Sequence, residues 1–381
     1  MGNTPSVNIA FSNGNLLQNI AVIDGLAGFI GTGLVAGNLN KVFSINSLAD
    51  AISQGITLAA EPAAYKVISE FYAELGGNQQ MYILLVADTV LMADMLDVNS
   101  ISMGNKLIAA GGGKISCIGV FRNPAVGYVP GTDFFDTDVQ AAVLAAKTFV
   151  QGLNSKLSFT RVLIQGRIAA EASITIFAPN TATNGFAGVV LGDTVSGNGA
   201  TVGTAVGRKI KYASHIKIGK VANGPLNASA IFIGTKALKD VTNLDTLHGK
   251  GVISFVTYPN KAGFYFGIDN MASIDDYRLL VYGCTVDAAA KVAASVYIDE
   301  LEGEVNTNPD GTITELDAKH LEDRITQQVS VSLGDRISGF AALVDRTSNI
   351  ITTSKTKIKL RVRPKGYNTF IDVDLGLTAG N

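Results

Sequence analysis

The sequence predicts an α/β (α+β) chain: two domains of mixed sheets flanked by helices, with an extended β arm at each end. Three observations lead there. First, 381 residues exceed what one hydrophobic core usually organises, so two compact domains, or one with a large insertion, are expected. Second, apolar runs of strand length, Met81 to Val86 and Ile115 to Phe121, alternate with segments of helical spacing, the mark of a buried sheet covered by helices. Third, neither chain end has a helical period, and the last one alternates apolar and charged residues with a period of two.

The elements follow in order. Residues 1–19 are polar, contain Pro5 and Gly14, and form an extended arm. Ile20 to Ile30 is a strand, Ser47 to Ser53 a short helix, and Pro62 to Leu75 a longer one, with proline in its first turn and Gly76-Gly77 at its exit. In Phe135 to Leu153, Val139, Val143, Ala146 and Val150 share one helical face, and Arg161 to Gln165 is the next strand. The stretch Ile168 to Lys239 is rich in small residues and offers only short β pieces, Ala187 to Leu191 and Ser229 to Gly234. Near Lys239 the texture changes and a second set of elements begins: strands Val252 to Thr257 and Phe264 to Ile268, then a helix from Asp287 to Leu301. A further helix starts at Thr314-Glu315-Leu316-Asp317, a capping box with Asp in place of Glu, and places Leu321, Ile325 and Val329 on one face. Two half-buried strands close the chain, Ile358, Leu360 and Val362 in the first and Ile371, Val373, Leu375 and Leu377 in the second, on either side of Pro364-Lys365-Gly366. The resulting division is 1–19, 20–240, 241–364 and 365–381.

Composition narrows the function classes. Hydrophobic residues make up 47% and charged residues 16%, with 30 Lys and Arg against 32 Asp and Glu, so the chain folds and has no general attraction to nucleic acid or to an anionic membrane. No Lys or Arg precedes Lys41, so a secretory n-region is not expected, nor is membrane insertion; assembly in the cytoplasm is. Cys117 and Cys284 sit in separate apolar stretches and are expected buried and reduced.

No motif announces chemistry. His215, His248 and His320 stand at no metal-ligand spacing, and HExxH, CxxC, GxSxG and Walker A patterns do not occur. The glycines of GTGLVAG (Gly31, Gly33, Gly37), and Gly197, Gly199 and Gly203, miss the dinucleotide fingerprint and are expected to serve loop geometry. The loop from Asn306 to Asp317 mimics a calcium loop. However, it begins with Asn, ends with the shorter Asp and is stiffened by Pro309, so a polar interhelical turn is expected. No catalytic residue, cofactor or metal ligand is therefore assigned. Lys355, Lys357, Lys359, Arg361 and Arg363 form a basic stripe without interleaved aromatic residues. It suits a solvated strand face or an acidic protein neighbour, such as the Asp372 and Asp374 face of an adjoining strand, better than nucleic acid.

The order of several segments resembles the contractile tail sheath family, in a divergent branch. Ala27-Gly28-Phe29-Ile30-Gly31, Ile45 to Asp50, FYAELGGNQQMYILLV (Phe71 to Val86), Gly263 to Gly267, Tyr277 to Leu301 and GFAALVDRTSN (Gly339 to Asn349) carry the likeness; Ile268-Asp269 departs from the family's Arg-Thr. The resemblance implies a structural, non-enzymatic subunit of a phage tail or phage-like particle that polymerises helically around an inner tube and contracts. It implies contacts with copies of itself, the tube protein, and the baseplate and tail terminator proteins. Residues 20–240 would then form the outer domain and 241–364 the tube-facing one. Val7, Ile9 and Phe11 in the first arm, and Phe370, Ile371, Val373, Leu375 and Leu377 in the last, would add strands to neighbouring sheets. Nineteen residues extend to about 65 Å, against a radius of gyration near 21 Å for a compact body of this size. Hinges are expected at Gly14, Pro364 and Gly366, and a tube contact at Lys319, Glu322, Asp323 and Arg324 on the helix from Thr314 to Val329. A capsid or baseplate component shares the composition without this order of segments, and an α/β enzyme lacks a catalytic cluster.

Overall fold

The computed structural model describes residues 25–99, 103–173 and 176–377. The elements of the first half are β1 (Leu26–Thr32), β2 (Val42–Ile45), α1 (Leu48–Ser53), α2 (Pro62–Leu75), β3 (Met81–Val86), α3 (Met92–Met95), α4 (Gly104–Ala110), β4 (Ile115–Phe121), α5 (Thr137–Asn154) and β5 (Arg161–Gln165). After them come β6 (Ala187–Val190), α6 (Val202–Lys211), β7 (Phe232–Ile233), β8 (Lys236–Ala237), α7 (Leu244–Gly249), β9 (Val252–Ile253), β10 (Phe255–Tyr258) and β11 (Lys261–Phe266). The chain then builds α8 (Leu280–Ile298), α9 (Glu315–Leu333), β12 (Ile337–Val344), α10 (Ile350–Thr353) and β13 (Ile358–Pro364).

A seven-stranded sheet, in the order β2-β3-β1-β4-β5-β6-β9, carries the main core. Every pairing in it is parallel except β2 with β3. Parallel strands must be covered on both faces, and the side chains show how. Phe29 on one face meets Phe71 of α2 with ring centroids 5.5 Å apart. From the other face, Leu107 of α4 approaches Gly28. Both faces are dry: Phe29, Ile30, Ile83, Ile118, Val120, Leu163 and Val189 are fully buried.

Helix α6 is absent from the sequence-based expectation because glycines interrupt its pattern, and those glycines are what packs it. A Cβ on Gly203 would stand 2.3 Å from the carbonyl oxygen of Val67, and one on Gly207 2.8 Å from that of Phe71, so α6 and α2 meet backbone to backbone. The buried pair Arg208–Glu74 (2.7 Å) closes the same interface. Helix α8 begins at Leu280 rather than Asp287, because its cap is remote: Asp269 accepts from Val281 N through its carboxylate (3.2 Å) and from Leu280 N through its carbonyl (2.8 Å).

The change of core does not fall at 240. β9 is a strand of the large sheet, and Phe255, Phe266, Leu280 and Cys284 belong to the main core. A second core starts only within α8, where Ala289, Ala293 and Val296 pack with Ile325, Val329 and Leu333 of α9. Arg161 joins the two. Fully buried at the start of β5, it donates twice to Asp287 of α8 (both 2.6 Å) and to the carbonyls of Gly185 (2.7 Å) and Gly283 (3.2 Å). Val7, Ile9, Phe11 and Gly14 lie outside the described residues.

Replacing Gly203 with Val should lower the unfolding free energy by about 1–3 kcal/mol through overpacking against α2. Denaturant titration of this variant beside Gly37→Ala, a site with nothing near it, measures the difference.

Candidate assembly interface

The last third of the chain forms an incomplete sheet on a helical hairpin. β12 and β13 pair antiparallel from Ile337↔Pro364 to Val344↔Ile358, which puts Phe340, Ala342, Leu360 and Val362 on the inner face against α8 and α9. Ala341, Leu343, Lys359 and Arg361 alternate with them and are exposed. Among the described residues this sheet stops at two strands, so the outer edge of each presents amides and carbonyls with no strand beside them. Two strands alone are marginal in water, and an open edge is a template for further pairing.

Beside β13 runs a groove of about 890 Å³. Leu360 and Val362 of β13, Tyr282 and Val286 of α8 and Ile274 line it, together with the charged Asp276 and Arg361. Ile274 is 73% exposed although apolar. The last described segment is equally open: Phe370, Ile371, Val373, Leu375 and Leu377 are 74% to 107% exposed and belong to no strand. The half-buried strand expected there is therefore not formed within the chain, since alternation alone supplies no hydrogen-bonding edge. Of the expected hinge residues, Pro364 is the last residue of β13, and Gly366 is exposed with open space around its Cα.

The residues expected to meet a tube separate into two sets. Lys319, Asp323 and Arg324 are exposed on α9, Arg324 beside Asp299 and Glu300 of the α8 end. Glu322 instead points inward: it accepts from Val344 N (2.8 Å) and pairs with Arg346 (2.9 Å), clamping β12 onto α9. Burial works against its charge, but hydrogen bonds from Arg346 and Val344 win and hold its carboxyl below the usual value of 4.5. Thr314 caps α9 by accepting from Asp317 N (3.3 Å), while Asp317 turns back to Asn306 N rather than closing the reciprocal bond of a capping box. Within the calcium-like loop, Asp310 accepts from Thr312 N and its hydroxyl, and Asn308 N donates to the Thr312 carbonyl, a tight polar turn. Among the described residues no group of acidic, His or Cys side chains could hold a metal ion.

The carboxyl ends of the parallel strands, where open α/β sheets take ligands, are filled by the chain's own carboxylates. In the GTGLVAG loop, Leu34 N and Val35 N donate to Glu61 (2.7 and 3.0 Å), the place a phosphate would take. In the cavity of about 570 Å³ beyond β4 and β5, Lys66 is held by Asp193 (2.5 Å) and Glu70 (2.9 Å), Arg122 by Asp138 and Arg167 by Asp136. Among the described residues no helix is long and apolar enough to cross a membrane.

Comparison with known proteins adds the following. The sequence profile described as the N-terminal domain of DUF2586 matches residues 4–270. No curated protein matches. A chain of the anti-feeding prophage helical sheath in its contracted state shares the fold at a TM-score of 0.63 and 13% identity, covering 99% of each chain. A chain of the anti-feeding prophage baseplate does so at 0.65 and 14%, covering 99% of this chain and all of that one. The sheath tail protein of Desulfitobacterium hafniense follows at 0.53 and 11%, with 94% of this chain and 100% of that one covered.

The Glu322 contacts make a pH prediction. A carboxyl lowered in the folded state adds stability that is present above its unfolded value and lost as pH falls through the folded one. Unfolding titrations should therefore show no change from this pair at neutral pH and a loss below about 4.5, with a shallower slope in Glu322→Gln.

Proposed function

The chain belongs to the DUF2586 family, and from that premise together with its fold we propose that it is the structural subunit of a contractile tail sheath. One observation carries the reading. An open two-stranded sheet with a groove of mixed polarity beside it and an exposed apolar-alternating segment occur in the same chain. A segment that finds no edge at home and an edge that finds no strand complement one another between copies.

Their side chains support a specific fit. If Ile371, Val373 and Leu375 continue the inner face of Leu360 and Val362, each buries enough apolar surface to contribute about 1.5–3 kcal/mol. Asp372 and Asp374 then fall on the outer face beside Lys359, Arg361 and Arg363, where opposite charges across strands add modestly. A donor and an acceptor on different surfaces make a head-to-tail contact, which extends into a helix when it does not close. Residues 1–19, with Val7, Ile9 and Phe11, serve the remaining edge in this scheme.

Contraction is a change of subunit packing around these strand contacts, with rotation absorbed at Gly14, Pro364 and Gly366. The inner tube is met by the outward face of α9, through Lys319, Asp323 and Arg324, with Glu322 holding that helix to its sheet. Baseplate and terminator proteins cap the two ends of the polymer. The subunits assemble in the cytoplasm before the particle leaves the cell.

Asp372→Lys with Asp374→Lys should weaken polymers seen by electron microscopy and sedimentation while leaving the monomer folded. Adding Lys359→Glu and Arg361→Glu should restore them; assembly unchanged by the first pair, and by truncation after Thr369, would sink the scheme. Reversing Lys319, Asp323 and Arg324 together should weaken tube co-sedimentation without changing the unfolding midpoint.

A further inference from the structure

Between β13 and its exposed end, the chain returns to the body of the large sheet. Pro364 ends β13, Lys365 and Gly366 bridge, and Tyr367 then docks. Its hydroxyl donates to the His215 carbonyl (2.5 Å), and its ring lies against Tyr282 in the first turn of α8, centroids 5.9 Å apart. Lys217 Nζ stands over the same ring, 5.6 Å from its centroid, and donates to the Thr369 hydroxyl (3.4 Å). Lys217 is itself fixed by buried Asp269 (3.3 Å), the residue that caps α8. Thr369 N closes a turn onto the Tyr367 carbonyl (3.0 Å), and every described residue from Asn368 onward is exposed.

This contact ties the segment after β13 back to the body of the large sheet. β13 belongs to the second core, whereas His215, Lys217 and Asp269 belong to loops on the first. It is also small: two hydrogen bonds, one ring contact and one cation over a ring, with Tyr367 half-buried. Contacts of that size open locally without unfolding the rest.

We propose that Tyr367 is a catch that sets the free length of the C-terminal arm. With Tyr367 docked, the arm turns after Thr369, and only the residues from Phe370 onward reach a neighbour. With it undocked, the arm turns at Gly366, and the three residues from Tyr367 to Thr369 add up to about 10 Å of reach. Release thus supplies slack when the acceptor sheet moves away, with no strand pairing broken. The functional meaning rests on the arm being an inter-subunit strand; the docking itself does not.

Trypsin cleavage after Lys365 in the full-length chain before assembly, followed by mass spectrometry, reads the catch, with hydrogen exchange of amides 366–369 alongside. Proteolysis tracks the open population, so Tyr367→Ala should raise cleavage at this bond about tenfold or more, and Tyr367→Phe by less. Cleavage within β1 to β6 should stay unchanged. An unaltered rate at Lys365 in both variants overturns the catch; should Tyr367→Ala lose its fold, an unaltered rate in Tyr367→Phe overturns it alone. A chain ending at Thr369 that still assembles refutes the inter-subunit strand and leaves the cleavage result standing, so the two failures are distinguishable.

Discussion

Arg161 is the interaction on which the two halves of the molecule depend. A buried guanidinium is tolerated only when each donor finds a partner, and here the partners come from Asp287 and Gly283 in α8 and from Gly185 before β6. Satisfying one charge therefore fixes β5, the Gly185 loop and the first half of α8 together. The second half of that helix supplies Ala289, Ala293 and Val296 to the other core, so α9 and the β12–β13 hairpin are positioned through it. Loss of Asp287 would leave the charge unpaired, and the penalty would fall on the junction.

Elsewhere, too, buried charge serves packing. Glu61 occupies the glycine loop after β1, Asp193 neutralises Lys66 beside the cavity, and Glu74 meets Arg208 between α2 and α6. Glu61 and Asp193 take positions where a ligand-binding α/β protein would hold an anion or leave a group free, and Glu74 closes a helix interface. The charges at the crevices of the large sheet are paired by its own side chains, and among the described residues the two-stranded sheet of β12 and β13 has backbone edges with no strand beside them. Unsatisfied edges invite assembly in the way unsatisfied side chains invite chemistry.

Much of this was legible in the sequence. Strands Met81–Val86, Ile115–Phe121 and Arg161–Gln165 and helix Pro62–Leu75 stand at the expected residues, because runs buried on both sides, and a helix with proline at its start and glycine at its exit, carry their signals locally. Helix α6 was not legible, since Gly203 and Gly207 lower helix propensity and repay it only against the backbone of α2. The start of α8 was hidden because its cap, Asp269, lies eleven residues before Leu280. Glu322, read as a surface charge, turned inward because Arg346 and the Val344 amide stand opposite it.

The sequence by itself determined the α/β class, most of the central elements and the alternation at the C-terminal end, all properties of neighbours within a few residues. Only the tertiary structure decided that residues 241–284 stay with the large sheet, that α8 spans two cores, and that Phe370 to Leu377 has no edge within its own chain. Those outcomes depend on which distant groups must satisfy a buried charge or a backbone amide. Residue order along the chain does not specify that until the fold brings them together.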